Sequence, residues 1–210
     1  MDNTKIAVAI FDKLAKVYQE KFMDVGLYHQ SFDLFCEYIA KENATVLELG
    51  CGPGNITKYL LEKRPNLKIM GTDLSPNMIA LARINNPKAE FGLLDCREIH
   101  TIIEQYDAIM CGFCLPYLSK DEAVALIRGA SKILNPNGII YISTMEENED
   151  NKSGLRKSSS GDEMYMYYHR TIDLTAALEV AGFKIITLRH QDFPTNDGLK
   201  TTDLIIIAQK

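Results

Sequence analysis

The sequence predicts an α/β fold built on a mainly parallel sheet covered by helices on both faces. Three observations carry this. Short apolar runs that read as strands alternate with stretches of helical period. Several of those runs are apolar throughout, as in strands buried on both faces. The last two runs have no helix between them, so they are expected to pair antiparallel.

The elements follow in chain order. Ala7, Ile10, Phe11, Leu14, Val17 and Tyr18 repeat with a helical period over 5–19, and Phe32, Phe35, Cys36 and Ile39 do so over 28–41. TVLEL (45–49) is a first strand ending at Gly50. Ile56, Tyr59 and Leu60 mark a helix stopped by Pro65, and LKIMG (67–71) is a second strand. Ser75-Pro76 opens the next helix, with a capping hydroxyl and a proline at the first helical position. AEFGLLD (89–95) and YDAIMCGF (106–113) are strands three and four. Ser119 and Glu122 form a capping box for a helix whose apolar face runs from Ala123 to Leu134. NPNG (135–138) reads as a turn before a fifth strand, IIYIST (139–144). A helix from Thr171 to Ala181 stops at Gly182, and the strands FKIITLRH (183–190) and DLIIIAQ (203–209) close the chain. That makes seven strands, with no internal repeat.

Composition bounds the function. A chain of 210 residues that is 46% hydrophobic has the size and character of one ordinary globular domain. Its apolar stretches are too short to span a bilayer, and its first residues lack signal-peptide form. A net charge of -5 argues against a nucleic-acid partner bound through a basic face. The five cysteines read as reduced thiols of a cytoplasmic protein. Cys111 and Cys114 form a C-x-x-C, but no second pair of Cys or His stands at ligand spacing to complete a zinc site, so they read as packing thiols. Nothing in the sequence sets an oligomeric state.

The chemistry concentrates in VLELGCGPGN (46–55), where Gly50, Gly52 and Gly54 follow the first strand. Glycines there let the chain turn and let a ligand approach the backbone, and the following helix presents unpaired N–H groups. Asp73, at the end of the second strand, places a carboxylate beside that loop, where it can accept from both hydroxyls of a ribose. A dinucleotide motif G-x-G-x-x-G fails in both frames, because Asn55 and Thr57 stand at the third positions. Glu48 precedes the loop, and a carboxylate there suits a cationic ligand better than a pyrophosphate.

LELGCGPG followed by GTDLS resembles the class I S-adenosylmethionine-dependent methyltransferases, closely over 45–144 and moderately over 171–209. The resemblance implies a Rossmann-like seven-stranded sheet with its last strand antiparallel, S-adenosyl-L-methionine as cofactor, and methyl transfer to a small-molecule acceptor. It implies that Glu48, Gly50, Cys51, Gly52 and Gly54 line the methionine part and that Asp73 holds the ribose, with Leu74 and Met78 near the adenosine. Asp95 and Cys96 would flank the adenine, Gly112 and Phe113 would face the sulfonium, and Tyr18 would fold over the cofactor. The chain departs from the family where many members carry a histidine after the fourth strand, since LPYLS (115–119) stands there. A nicotinamide-dependent oxidoreductase and a non-catalytic cofactor-binding protein are the alternative readings.

One domain is expected, with an N-terminal helical cap over 1–43, a cofactor-binding core over 44–145, a loop or lid over 146–170, and a helix with an antiparallel strand pair over 171–210. The segment 146–163 contains one large apolar residue, Leu155, and reads either as a floppy insertion or as a lid over substrate. In MYMYYHR (164–170), Met164, Met166 and Tyr168 alternate as on a short strand. Tyr168, His169 and Tyr117 are the candidates for acceptor contact or base work, with Tyr28 and His29 behind them.

Overall fold

The computed structural model describes residues 2–157, 161–193 and 201–210. Seven strands form one sheet: β1 (Thr45–Leu49), β2 (Lys68–Asp73), β3 (Glu90–Leu93), β4 (Tyr106–Gly112), β5 (Leu134–Met145), β8 (Lys184–Phe193) and β9 (Thr201–Gln209), in the order β3-β2-β1-β4-β5-β9-β8. Strands β1 to β5 pair in parallel, and β9 runs antiparallel to both its neighbours. A separate hairpin joins β6 (Gly154–Lys157) to β7 (Glu163–Met166).

The helices are α1 (Asn3–Lys13), α2 (Ala15–Phe22), α3 (His29–Tyr38), α4 (Asn55–Lys63), α5 (Pro76–Asn85), α6 (Lys120–Ile133) and α7 (Thr171–Val180). The all-apolar strands are explained by what each face meets. In β9, Leu204, Ile206 and Ala208 pack with α6 and α7, whereas Ile205 and Ile207 pack with α3 and α4. Strand β4 divides likewise, with Ile109 and Cys111 on one face and Ala108 and Met110 on the other. The sheet order reverses between β1 and β4, and a crevice opens there beyond the carboxyl ends of the strands.

Local signals are read correctly where the bonds are short-range. The Ser75 hydroxyl accepts from the Met78 N–H at 3.1 Å, and Ser119 and Glu122 complete the capping box. Three expectations change. The helical period over 5–19 is two helices, broken at Leu14 (φ -103, ψ 13); both meet α5, and α1 also meets β7. NPNG is part of β5 and forms a bulge: Leu134 pairs with Tyr106 and Ile139 with Ala108, with Asn137 in the left-handed region at φ 63. The segment 146–163 is not loop alone, because β6 lies within it. That strand has an exposed, charged sequence and is set by pairing with β7, a partner its own composition does not reveal. Residues 158–160 of the expected lid, and most of the link between β8 and β9, lie outside the described residues.

Candidate active site

At the tips of β1, β2 and β4 lies a cleft of about 790 Å³ of empty space, part of it open to solvent. Its floor is the glycine loop. Gly50, Gly52 and Gly54 all take positive φ (63°, 53° and 79°), which answers why three glycines stand at alternate positions. Only Gly50 and Gly52 line the cleft. Gly54 caps α4, where a Cβ would sit 2.3 Å from the Asn86 amide nitrogen.

Asp73 reaches across from β2. One carboxylate oxygen accepts from the Gly52 N–H and the other from the Ser75 N–H, each at 2.9 Å. These bonds orient the carboxylate toward the cleft and leave each oxygen further lone-pair capacity. Burial holds its pKa above the usual carboxylate value, against the pull of those N–H groups. Leu74 and Met78 supply an apolar wall beside it, and Asp95 and Cys96 close the far side. Burial opposes ionisation of Asp95, but hydrogen bonds from Arg97, one at 2.6 Å, hold it below the usual range. The Cys96 sulfur lies 3.2 Å from that of Cys114, and the Cys114 thiol also interacts with that of Cys111; Cys96 and Cys114 line the cleft, whereas Cys111 lies behind them in the core.

Gly112 and Phe113 line the β4 side. Phe113 sits at φ 54, a strained conformation for a residue with a side chain, and its N–H donates to Ser143. Tyr18 from α2 and Tyr117 form the aromatic wall with Phe11, whose ring lies 5.7 Å from Tyr18 and 5.0 Å from Tyr117.

Several expected site residues lie elsewhere. Glu48 is buried behind the loop and accepts from the Thr57 hydroxyl, its other oxygen unpartnered among the described residues. Burial pushes its pKa up to about 8, so it is mostly neutral at pH 7 and offers no full charge to a cation. Cys51 packs inward on Ile79, Ala82 and Phe91. His169 is buried with a ring nitrogen 2.9 Å from the Leu115 carbonyl, and it borders neither the cleft nor the groove beside it. Tyr168 lines that second groove, on the far side of the aromatic wall. The Tyr28 hydroxyl donates to Asp203 at 2.6 Å, and His29 stacks on Tyr59.

Of the expected N-terminal cap only Tyr18 was named for the site, and α1 supplies more of the roof. Thr4, Ala7, Val8 and Phe11 of α1 line the cleft, and α1 is tied down by Asp12, which accepts from the Ser75 hydroxyl at 2.7 Å and the Asn77 N–H at 2.9 Å. The apolar face of α1 was legible; what it faces was not, because those partners lie more than sixty residues away in sequence.

A family model described as a methyltransferase domain matches residues 46–138. A ubiquinone biosynthesis O-methyltransferase of Hydrogenovibrio crunogenus is 26% identical over 147 residues, 66% of this chain and 59% of that protein. A trans-aconitate 2-methyltransferase of Variovorax paradoxus is 32% identical over 121 residues, 58% of this chain and 46% of that protein. The chain thus spans about half the length of these curated relatives. The structure of a magnesium protoporphyrin IX methyltransferase from Synechocystis PCC 6803 superposes with a TM-score of 0.72 at 16% identity, covering 100% of this chain and 98% of that one, which shows the shared fold.

Proposed function

We propose, for a chain whose residues 46–138 match a methyltransferase domain, that it is a class I S-adenosylmethionine-dependent methyltransferase and transfers a methyl group from S-adenosyl-L-methionine to a small-molecule acceptor. The observation that carries the reading is the Asp73 carboxylate, held by the Gly52 and Ser75 N–H groups over a bare backbone turn. The donor set fits a sulfonium nucleoside. Asp73 has acceptor capacity left for two ribose hydroxyls, Gly50 and Gly52 place no side chain in the way, and Leu74 and Met78 offer an apolar seat for the base. The cleft is lined by two acids, Asp73 and Asp95, and by no Lys or Arg among the described residues, which suits a cationic ligand and disfavours a pyrophosphate.

When bound, S-adenosylmethionine supplies an already activated methyl, so the protein's share is positioning and exclusion of water. Phe11, Tyr18 and Tyr117 line the cleft and would shield a bound sulfonium from water. Burial pushes the Tyr117 phenol far above its ordinary value. It therefore stays protonated and serves as a hydrogen-bond donor to an acceptor, not as a base. Residues 1–43 serve as the cap in this reading. The free thiols support a cytoplasmic setting, and the charge of -5 supports a partner other than nucleic acid. No helix among the described residues is long and apolar enough to cross a membrane.

The test is calorimetry of the purified protein with S-adenosylhomocysteine and with NAD, followed by turnover against a panel of small acceptors. Tighter binding of NAD would favour a nicotinamide-dependent oxidoreductase instead. Tight nucleoside binding with no S-adenosylhomocysteine formed from any acceptor would leave a non-catalytic binder.

A further inference from the structure

A second groove lies against the cleft and shares its aromatic wall: Phe11, Tyr18 and Tyr117 line both. The groove has a cavity volume of about 320 Å³, at the lower end of the size range of a site for one small molecule. Its walls are α1 and α2 on one side and the β6–β7 hairpin on the other. Met164 and Met166, unbranched and adaptable, form the apolar bed with Ile10 and Leu14.

The two compartments differ in charge. Among the described residues, the cleft is bordered by Asp73 and Asp95 and by no Lys or Arg, whereas the groove is bordered by Lys21, Arg156 and Lys157 and by no carboxylate. Three cations on one small groove stand out in a chain of net charge -5. Arg156 is held in place. Its guanidinium lies 5.7 Å from the Tyr168 ring centroid and donates to the Leu155 and Lys152 carbonyls at 3.1 and 2.8 Å. Those bonds use two of its five N–H groups. Among the described residues, Lys157 makes an exposed pair with Glu163 at 3.6 Å, which a ligand can displace at little cost.

We propose that this groove is the acceptor site and that the acceptor is an anionic small molecule, an apolar body carrying a carboxylate. The apolar part lies on the methionines, with the reacting atom against the Phe11–Tyr117 wall. The carboxylate meets Arg156 and Lys157 at the hairpin. The inference rests on the methyl-transfer reading above and adds to it the class of acceptor.

The experiment uses the full-length protein saturated with S-adenosylhomocysteine. The probes are 3-phenylpropionate, 4-hydroxybenzoate and decanoate, each beside its neutral amide, with binding read by calorimetry. At least one carboxylate is expected to bind about tenfold more tightly than its amide, the scale of a charge-assisted contact. The R156Q/K157Q double variant, both positions exposed, is expected to lose that preference while S-adenosylhomocysteine affinity stays unchanged, since neither residue lines the cleft. Equal binding of acid and amide, no binding of any probe, or a preference that survives the double variant overturns the proposal. These outcomes leave the methyl-transfer reading standing. Failure of S-adenosylhomocysteine itself to bind overturns that reading instead.

Discussion

Asp73 and Gly52 meet at 2.9 Å, carboxylate to backbone N–H, across the tips of two neighbouring strands. The bond makes the ligand-facing carboxylate a structural partner of the glycine loop. Asp73→Ala removes the acceptor for the Gly52 and Ser75 N–H groups and the proposed ribose contact together. A loss of about tenfold to a hundredfold in S-adenosylhomocysteine affinity is expected, from lost bonds to a charged group. Asp73→Asn keeps one acceptor oxygen and falls between. Calorimetry on both variants decides it; unchanged affinity in the alanine variant would remove Asp73 from the site.

The glycines of the loop separate into two roles that substitution can distinguish. At Gly54 (φ 79) an added Cβ meets the Asn86 amide nitrogen at 2.3 Å and the Ala82 Cα at 3.4 Å, so Gly54→Ala breaks the Asn86 bond to the Gly54 carbonyl as well as straining the backbone. At Gly52 (φ 53) the Cβ meets only a Tyr18 ring carbon at 3.8 Å. Gly52→Ala therefore costs about 1–2 kcal/mol of left-handed strain, and Gly54→Ala costs more. Thermal unfolding should rank Gly54→Ala lower, while nucleoside binding should suffer more per unit of lost stability in Gly52→Ala, whose methyl points into the cleft. The reverse ranking would contradict the assignment.

These local features were the legible ones. Gly50, Gly52, Asp73, the Ser75 cap and the Ser119 box all depend on bonds within a turn or between adjacent strand tips, so residue type and spacing reveal them. What escaped depends on distant partners. Asp12 looks like any surface acid until α5 meets it, and the break at Leu14 carries no glycine or proline to announce it. Glu48 read as suited to a cationic ligand because a carboxylate before the loop would repel a pyrophosphate; its burial, which pushes its pKa up to about 8, depends on the packing of α4. Met164 and Met166 were legible as one face of a short strand, but that strand ends before Tyr168, and which cavity the three side chains border depends on how the hairpin docks on α1.

Asp203, buried and hydrogen-bonded to Tyr28, gives a pH signature. Burial pushes its pKa from 3.8 up to about 6, against the bond from Tyr28. Between those values the unfolded chain has lost a proton that the folded chain keeps. The group's contribution is therefore fully present below pH 4 and is lost as pH rises to about 6, an effect of about 2–3 kcal/mol. Asn at 203 still accepts from the Tyr28 hydroxyl and does not titrate. Chemical denaturation from pH 4 to 7 should show the gap between Asp203→Asn and wild type widening in favour of the variant up to about pH 6, then staying constant. A gap independent of pH would mean that Asp203 is ionised throughout.

His169 separates a structural histidine from a chemical one. Burial lowers its pKa below the usual 6.5, and its ring nitrogen is spent on the Leu115 carbonyl. A depressed histidine contributes stability that is present above pH 6.5 and is lost as pH falls through its folded value, because only the unfolded chain protonates readily. His169→Gln keeps a donor near the ring nitrogen and cannot titrate, so it should flatten the acid side of the stability curve. His169→Ala should also lower the melting temperature at pH 7, since the Leu115 carbonyl loses its partner in a buried setting. Neither change should alter S-adenosylhomocysteine affinity or the pH dependence of kcat, because the ring borders neither the cleft nor the groove. If His169→Gln instead abolished one limb of the kcat profile while stability and nucleoside binding held, the imidazole would take part in proton transfer after all. The groove, and not the core, would then have to reach it.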